Sequence, residues 1–141
     1  MLDRTRYDAK TLVKCIKLAR ALKELVLKDL DIPDTFDLCI CDIGNPYGCT
    51  STRDNTVYIS DSINNIDHFI KTVLHEHRHV YQVLRNRSIL NNYNYTAAAN
   101  NTNEYREHPA EVDANEYAKE AMVKFEKEIQ ELKNLYRRNQ L

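Results

Sequence analysis

Apolar residues recur at helical spacing in three stretches of the chain, separated by shorter segments of a different pattern. The three stretches span residues 8–30, 63–84 and about 109–138, and each carries an apolar stripe with a period of 3.6 residues. Pro33 closes the first stretch, and Pro109 fits the first position of the third helix. The region between the first two helices predicts short strands separated by turns, at residues 36–43, 49–52 and 56–60. The pattern therefore predicts an α+β fold.

The composition is that of a soluble globular protein, with 43% hydrophobic and 29% charged residues. Residues 1–141 are expected to form a single domain, because this length supports one substantial core. The net charge of −1 gives no electrostatic attraction to nucleic acid or to an anionic membrane, and no apolar run reaches transmembrane length. Residues 1–6 lack the apolar segment of a signal peptide, so a cytoplasmic protein with reduced cysteines is expected.

Residues 86–107 show no sustained period and are rich in asparagine and tyrosine. A short helical turn is compatible with residues 96–99. The simplest interpretation is a polar surface loop. A connection of this length inside a compact domain is often functional, so a loop that shapes a substrate site is the second interpretation.

Residues 75–79 carry the pattern H-E-x-x-H on the second predicted helix. His75 and His79 are four residues apart, so on a helix they lie on one face and can both direct a ring nitrogen at one metal ion. Glu76 projects about 100° round the helix from His75, close enough to hold a metal-bound water. The apolar residues of this segment fall on a separate arc, so the amphipathic pattern and the motif predict the same helix.

A second interpretation uses the same histidines on a strand. There His75, His77 and His79 would share one face and could bind a metal together. The flanking apolar residues repeat at the helical period, which favours the helix. On that helix His77 falls within the apolar arc, and we expect a partly buried histidine with a satisfied hydrogen bond.

A catalytic zinc site usually has three protein ligands and one open position, so a third ligand is expected on another element. Glu111 lies in the first turn of the last predicted helix, and small residues at Ala114 and Ala118 permit close approach to the motif helix. Asn115, four residues after Glu111 on the same face, would hydrogen-bond a ligand histidine from behind. A carboxylate in a first turn also complements the helix dipole. Beside H-E-x-x-H, coordination by Glu111 is the favoured interpretation.

At these residues the chain resembles the gluzincin zinc metallopeptidases. His75-Glu76-x-x-His79 followed by Glu111-x-x-Ala114 is similar to the pattern of the M48 family, whose second half reads E-x-x-A-D. The size is similar to that of the minimal single-domain versions called minigluzincins. The resemblance covers roughly residues 36–118 and implies that His75, His79 and Glu111 are zinc ligands. The family's aspartate is Asn115 in this chain, which removes a charge from behind the ligand histidine.

The resemblance also implies a zincin-like fold. In that fold a small, mainly antiparallel sheet lies beside the H-E-x-x-H helix, here flanked by an N-terminal helix and a long C-terminal helix. The edge strand of the family binds extended substrate, and Thr56–Ser60 corresponds to it by position. The stripe of the C-terminal helix is expected to pack on the first helix or to self-associate, so a monomer or a weak homodimer is expected.

The function implied by the resemblance is zinc-dependent hydrolysis of peptide bonds in a peptide or protein substrate. Zinc-activated water would attack the scissile carbonyl, and Glu76 would act as the general base. A regulatory or latent zincin with little turnover, favoured by Asn115, and a metal-free helical interaction module are the alternatives. The developing oxyanion needs a donor besides zinc. The sequence leaves five candidates for it, which are Tyr93, Tyr95, Tyr105, Arg106 and His108.

Overall fold

A computed structural model of the chain describes residues 6–44, 46–93 and 102–141. Helix α1 (Ala9–Leu30) begins after Asp8, whose carboxylate accepts a hydrogen bond from the amide of Thr11. It ends at Asp31, which adopts the left-handed conformation that terminates many helices (φ 51°). The helix predicted for this region is confirmed, and its apolar stripe faces the core through Cys15, Leu18, Ala19, Leu22 and Val26.

Three strands, β1 (Asp37–Cys41), β2 (Gly48–Ser51) and β3 (Thr56–Ser60), form one sheet in the order β1–β3–β2. Strand β3 runs parallel to β1 and antiparallel to β2. The α+β class is therefore confirmed, but the expectation of a mainly antiparallel sheet is wrong, because β3 inserts between β1 and β2 and makes the sheet mixed.

The position expected for Thr56–Ser60 is also wrong, because this strand lies at the centre of the sheet and not at its edge. Four of its five residues are buried, including residues on both faces of the sheet, which suits a central strand. Asn55, in the left-handed conformation, closes the turn that leads from β2 into β3. The edge strand that contacts the motif helix is β2, Gly48–Ser51. If an edge strand binds substrate beside that helix, it is therefore β2.

Helix α2 (Ile66–Arg85) contains all of the H-E-x-x-H motif, which excludes the alternating-histidine strand. It begins three residues later than the sequence predicts, because Asn65 is the N-cap and accepts a hydrogen bond from the amide of His68. Asp61, further back along the chain, pairs with Arg6. The buried apolar face of α2 consists of Phe69, Ile70, Val73, Leu74 and Val80.

The C-terminal region contains three helices, α3 (Asn103–Glu107), α4 (Pro109–Lys124) and α5 (Glu126–Arg137). The expectation of one long helix is wrong, because Phe125 leaves the helical conformation (φ −103°, ψ 25°) and separates α4 from α5. Helix α4 packs against α2, whereas α5 packs against α1. Packing on the first helix is thus confirmed only for the second half of the predicted stripe. The helical turn predicted at residues 96–99 lies outside the described residues.

The helices and the cysteines bear on the absence of a transmembrane run and on the reduced thiols expected from the sequence. None of the helices in the described ranges has both the length and the apolar character needed to cross a membrane. All four cysteines are free thiols. Cys15 is buried in the core, and Cys39, Cys41 and Cys49 are half-buried.

His77 points into the core, where only 1% of its surface is exposed. Its Nδ1–H donates to the carbonyl of Val73 at 2.7 Å, and its Nε2 has no hydrogen-bond partner among the described residues. Burial lowers the pKa of His77 to about 4, although the Val73 carbonyl acts in the opposite direction. The expected core position is confirmed, but only one of the two ring nitrogens is satisfied.

His77→Leu is expected to leave metal content unchanged and to stabilise the fold, since an unpaired buried polar group costs about 1–3 kcal/mol. The gain should grow under mild acid. The unfolded parent takes up a proton on His77 below about pH 6.5. The folded parent does so only near its pKa of about 4, so the parent loses stability as pH falls through this window. Urea unfolding of both proteins at pH 7 and pH 5 measures the difference. Loss of metal in the variant would contradict the core assignment.

Candidate metal centre

The three predicted ligands, His75, His79 and Glu111, converge where α2 meets the first turn of α4. Nε2 of His75 lies 3.0 Å from Oε1 of Glu111, and Nε2 of His79 lies 2.7 Å from Oε2. The two Nε2 atoms are 3.2 Å apart. A tetrahedral zinc ion with bonds of about 2.0–2.1 Å would separate its ligand atoms by about 3.3 Å. The three side chains could therefore hold one metal ion, and within the described ranges they are the one group found to do so.

Helix geometry and small residues bring these side chains together. The four-residue spacing places both histidines on one face of α2, and Ala110 and Ala114, both fully buried, allow α4 to lie close to that helix. The first turn of α4 is held by His108, whose Nδ1 accepts a hydrogen bond from the amide of Ala110. Pro109 takes the first helical position. Glu111 is thereby directed at the histidines from the start of a well-capped helix.

Gln82 determines which nitrogen of His79 carries the proton. Its amide NH₂ donates to the carbonyl of Ala110 and to the carboxylate of Asp113, both at 2.9 Å. Its Oε1 must then face Nδ1 of His79, 2.7 Å away, and accept a hydrogen bond from it. Nε2 of a neutral His79 therefore presents a lone pair to the carboxylate of Glu111. Two acceptors at this distance require a cation between them or a proton on the ring, so the donor set fits a metal ion.

The electrostatics of the buried group lead to the same conclusion. Glu111 is 2% exposed and His79 is 6% exposed. Burial favours a raised pKa for Glu111, but hydrogen bonds and charge from His75 and His79 outweigh it and hold the pKa well below its usual range. Burial lowers the pKa of His79, whereas Glu111 and Glu76 raise it, with a net value of about 9. Without a metal ion, the carboxylate of Glu111 thus favours a proton on His79, a positive charge whose place a bound metal ion would take.

Glu76 lies beside this group without belonging to it. Its Oε2 is 3.8 Å from Nε2 of His75. The hydroxyl of Thr50 donates to Oε1 and shares its proton with the backbone carbonyl of Glu76, each at 2.9 Å. Gly48 makes room for the side chain, because a Cβ at that position would lie 2.8 Å from Cγ of Glu76. Strand β2 therefore both approaches Glu76 closely and orients its carboxylate next to the donor atoms.

Tyr93 and Tyr105 are the two candidate oxyanion donors that pack beside the metal-binding residues. The hydroxyl of Tyr93 donates to Oε2 of Glu111 at 2.7 Å, and its ring packs edge-on against His79 with 5.9 Å between centroids. Tyr105 packs edge-on against Tyr93. Burial, followed by the charge of Glu111, raises the pKa of both phenols. Both hydroxyls therefore keep their protons and can donate hydrogen bonds.

His108 and Arg106, the other two candidates in the described part of the chain, make contacts of a different kind. His108 uses both ring nitrogens, since Nδ1 caps α4 and Nε2 donates to the carbonyl of Asn91 at 2.8 Å. Arg106 donates to the side chain of Asn103. Tyr95 lies outside the described residues. Among the described candidates, Tyr93 contacts the metal-binding group through Glu111 and His79, and Tyr105 contacts Tyr93.

Asn115 does not take the position predicted for it. Its side chain is exposed, and the hydrogen bond behind His79 comes from Gln82, which is fully buried. The physical reason is local, because a residue three positions after a histidine lies next to it on the same helix. That spacing is the sequence signal that could have identified Gln82. Asp113, two residues before Asn115, supplies a negative charge next to Gln82, whose NH₂ donates to it.

Comparisons of this chain with protein-family models, with curated proteins and with solved structures found no match. The gluzincin resemblance therefore rests on the motif residues alone, and the structure adds that His75, His79 and Glu111 could hold a metal ion.

Proposed function

We propose that this chain is a zinc-dependent peptidase. The observation that carries the proposal is the position of Glu76, an orientated and buried carboxylate that contacts the metal-binding group but is not part of it. A site that only stored a metal would need no such residue. A hydrolytic site needs a base beside the metal to accept the proton of the attacking water.

The residues of the centre would divide the work between binding and proton transfer. His75, His79 and Glu111 would hold zinc, which when bound polarises a carbonyl and acidifies water. Glu76 takes the proton from the attacking water and returns it to the leaving amine. The hydroxyl of Thr50 holds Oε1 of Glu76 in place, which leaves Oε2, on the side of His75, to carry that proton.

The free edge of β2 supports an extended peptide as substrate. The amide of Ser60 donates to the carbonyl of Tyr47 at 2.8 Å, so these two residues form a hydrogen-bonded pair of the antiparallel ladder. Since such pairs alternate, the peptide groups of Gly48 and Thr50 point away from β3. Strand β2 has no strand neighbour on that side among the described residues. A peptide that paired there would run past the carboxylate that Gly48 and Thr50 contact.

The two tyrosine hydroxyls complete the proposed site. Tyr93 donates to Glu111, and Tyr105 packs against its ring. When a scissile carbonyl develops negative charge, a protonated phenol within reach can donate to it, as an oxyanion donor must. Tyr93 is the better placed of the two because it contacts both His79 and Glu111.

Metal analysis joined to a peptide-cleavage assay tests the proposal. The purified chain is expected to bind about one zinc per molecule and to cleave unstructured peptides, and His79→Ala should lose both properties because it removes one of three ligands. Full zinc retention by His79→Ala would remove the site proposed here. Bound zinc without turnover would favour the latent zincin, and absence of zinc binding would favour the metal-free interaction module.

A further inference from the structure

The contacts behind His79 form a polar chain that runs from α2 into α4, buried at His79 and Gln82 and partly exposed at Arg78 and Asp113. Arg78 donates through Nε to Oδ2 of Asp113 at 2.7 Å and through Nη2 to Oδ1 at 3.1 Å. Asp113 accepts from Gln82, and Gln82 accepts from His79. Arg78 is held in turn by the ring of Tyr81, 4.2 Å from its guanidinium carbon. Each member is thus fixed by the next, up to the metal-binding ring.

Gln82 is the member of this chain that touches both halves of the centre. Its Oε1 contacts His79 on α2, while its NH₂ group contacts the carbonyl of Ala110, which directly precedes Glu111 on α4. The two donated hydrogen bonds leave the amide a single orientation. One side chain therefore orients a histidine ligand and also holds the helical turn that carries the carboxylate ligand.

We propose that Gln82 is the positioning residue of the metal centre. Its hydrogen bond to Ala110 holds α4 against α2, so that Glu111 lies next to the two histidines. Its hydrogen bond with His79 keeps the proton of that ring on Nδ1, so that Nε2 is free to coordinate. Asp113, fixed by Arg78, keeps the amide in this orientation. The inference rests on the metal centre of the proposed function, but it concerns zinc affinity and not peptide cleavage.

Gln82→Leu, a change of similar volume, tests this role. Zinc affinity, measured by competition with a chromogenic chelator, should fall about 10–100-fold, which is the usual effect of removing the partner of a ligand histidine. Gln130→Leu makes the same substitution at an exposed glutamine on α5 and should keep the affinity of the parent.

Two further measurements separate positioning from simple loss of stability. In the zinc-loaded parent, the proton on Nδ1 of His79 should give a slowly exchanging low-field NMR signal, and Gln82→Leu should lose it. Urea unfolding in chelator measures the stability of each metal-free variant independently of zinc. If Gln82→Leu fails to fold, Asp113→Ala, which alters a partly exposed residue, takes its place and should also weaken zinc binding.

The outcomes distinguish this inference from the proposed function. If the parent binds zinc and Gln82→Leu binds it with the same affinity, the positioning role alone is overturned. The same holds if Gln82→Leu keeps the low-field signal. A parent that binds no zinc would overturn both. Reduced affinity in Gln82→Leu together with loss of the low-field signal would support the role of Gln82 even if the zinc-loaded chain cleaved no peptide.

Discussion

Glu76→Gln is expected to lower peptide cleavage by about 10²–10⁴-fold, because general acid–base catalysis typically contributes that much. The substitution keeps the shape of the side chain and leaves an oxygen that can still accept the hydrogen bond from Thr50. Zinc content should stay at about one per chain, since Glu76 is not among the three converging donor residues. The measurement is kcat/KM on an unstructured peptide, with metal analysis of the same sample.

The control is Glu24→Gln, which makes the same change at an exposed position on α1 and should leave both readings unchanged. Cleavage by Glu76→Gln at the parental rate would show that another group accepts the proton. Loss of zinc would show instead that Glu76 is a ligand. Because the two readings are independent, the experiment identifies which part of the assignment has failed.

The long helices could be predicted from the sequence because their signals are local. The apolar stripe of α1 at Leu18, Leu22 and Val26 is visible in the sequence and is buried in the structure. The same kind of stripe predicts the motif helix α2, and only its start differs, at Ile66 in place of residue 63, because Asn65 is the cap. Periodicity determines which residues are buried, whereas a cap depends on one side chain among several polar residues in a row.

The sheet order could not be predicted, because strand pairing joins residues that are distant in sequence. Nothing in the segment 36–60 indicates that β1 pairs with β3, as Cys41 does with Ser60, and not with β2, which follows it in the chain. The turn predicted between residues 43 and 49 contains both glycines, and a turn is right for Gly44, whose φ is 71°. Gly48 lies in β2, where its missing Cβ admits Glu76. The reason for that glycine lies on a helix that begins 18 residues later.

The sequence predicts those residues of the candidate site that share one face of a helix or belong to the motif. His75 and His79 follow from spacing alone, and Glu111 was found because a small-residue helix could approach them. The sequence predicts the partner of His79 on α4, at Asn115, whereas in the structure it is Gln82, three residues after His79 on α2. Gln82 also needed the carbonyl of Ala110, 28 positions away, to fix its amide, and such a long-range contact leaves no local sequence pattern.

Glu111→Gln should bind zinc far more weakly than the parent. Its carboxylate is buried, lies within 3.0 Å of both histidine Nε2 atoms and supplies the only negative charge in the group of three ligands. An amide is a poor, uncharged ligand. Its NH₂ would also donate to the Nε2 lone pair of a neutral His79, which stabilises the metal-free arrangement. The substitution therefore weakens the zinc-bound form and favours the empty one, while the packing of α4 on α2 is preserved.

Thermal unfolding with and without chelator measures this effect. Zinc that binds only the folded chain at a thousand times its Kd stabilises it by about 4 kcal/mol, which raises Tm by roughly 10 °C or more at this chain length. Chelator should remove that gain from the parent and from Glu116→Gln, a matched change at an exposed position on α4. It should hardly alter Tm of Glu111→Gln. If zinc stabilised Glu111→Gln as much as the parent, Glu111 would not be the third ligand, and Glu107, His108 and Asp113 would be the next residues to substitute.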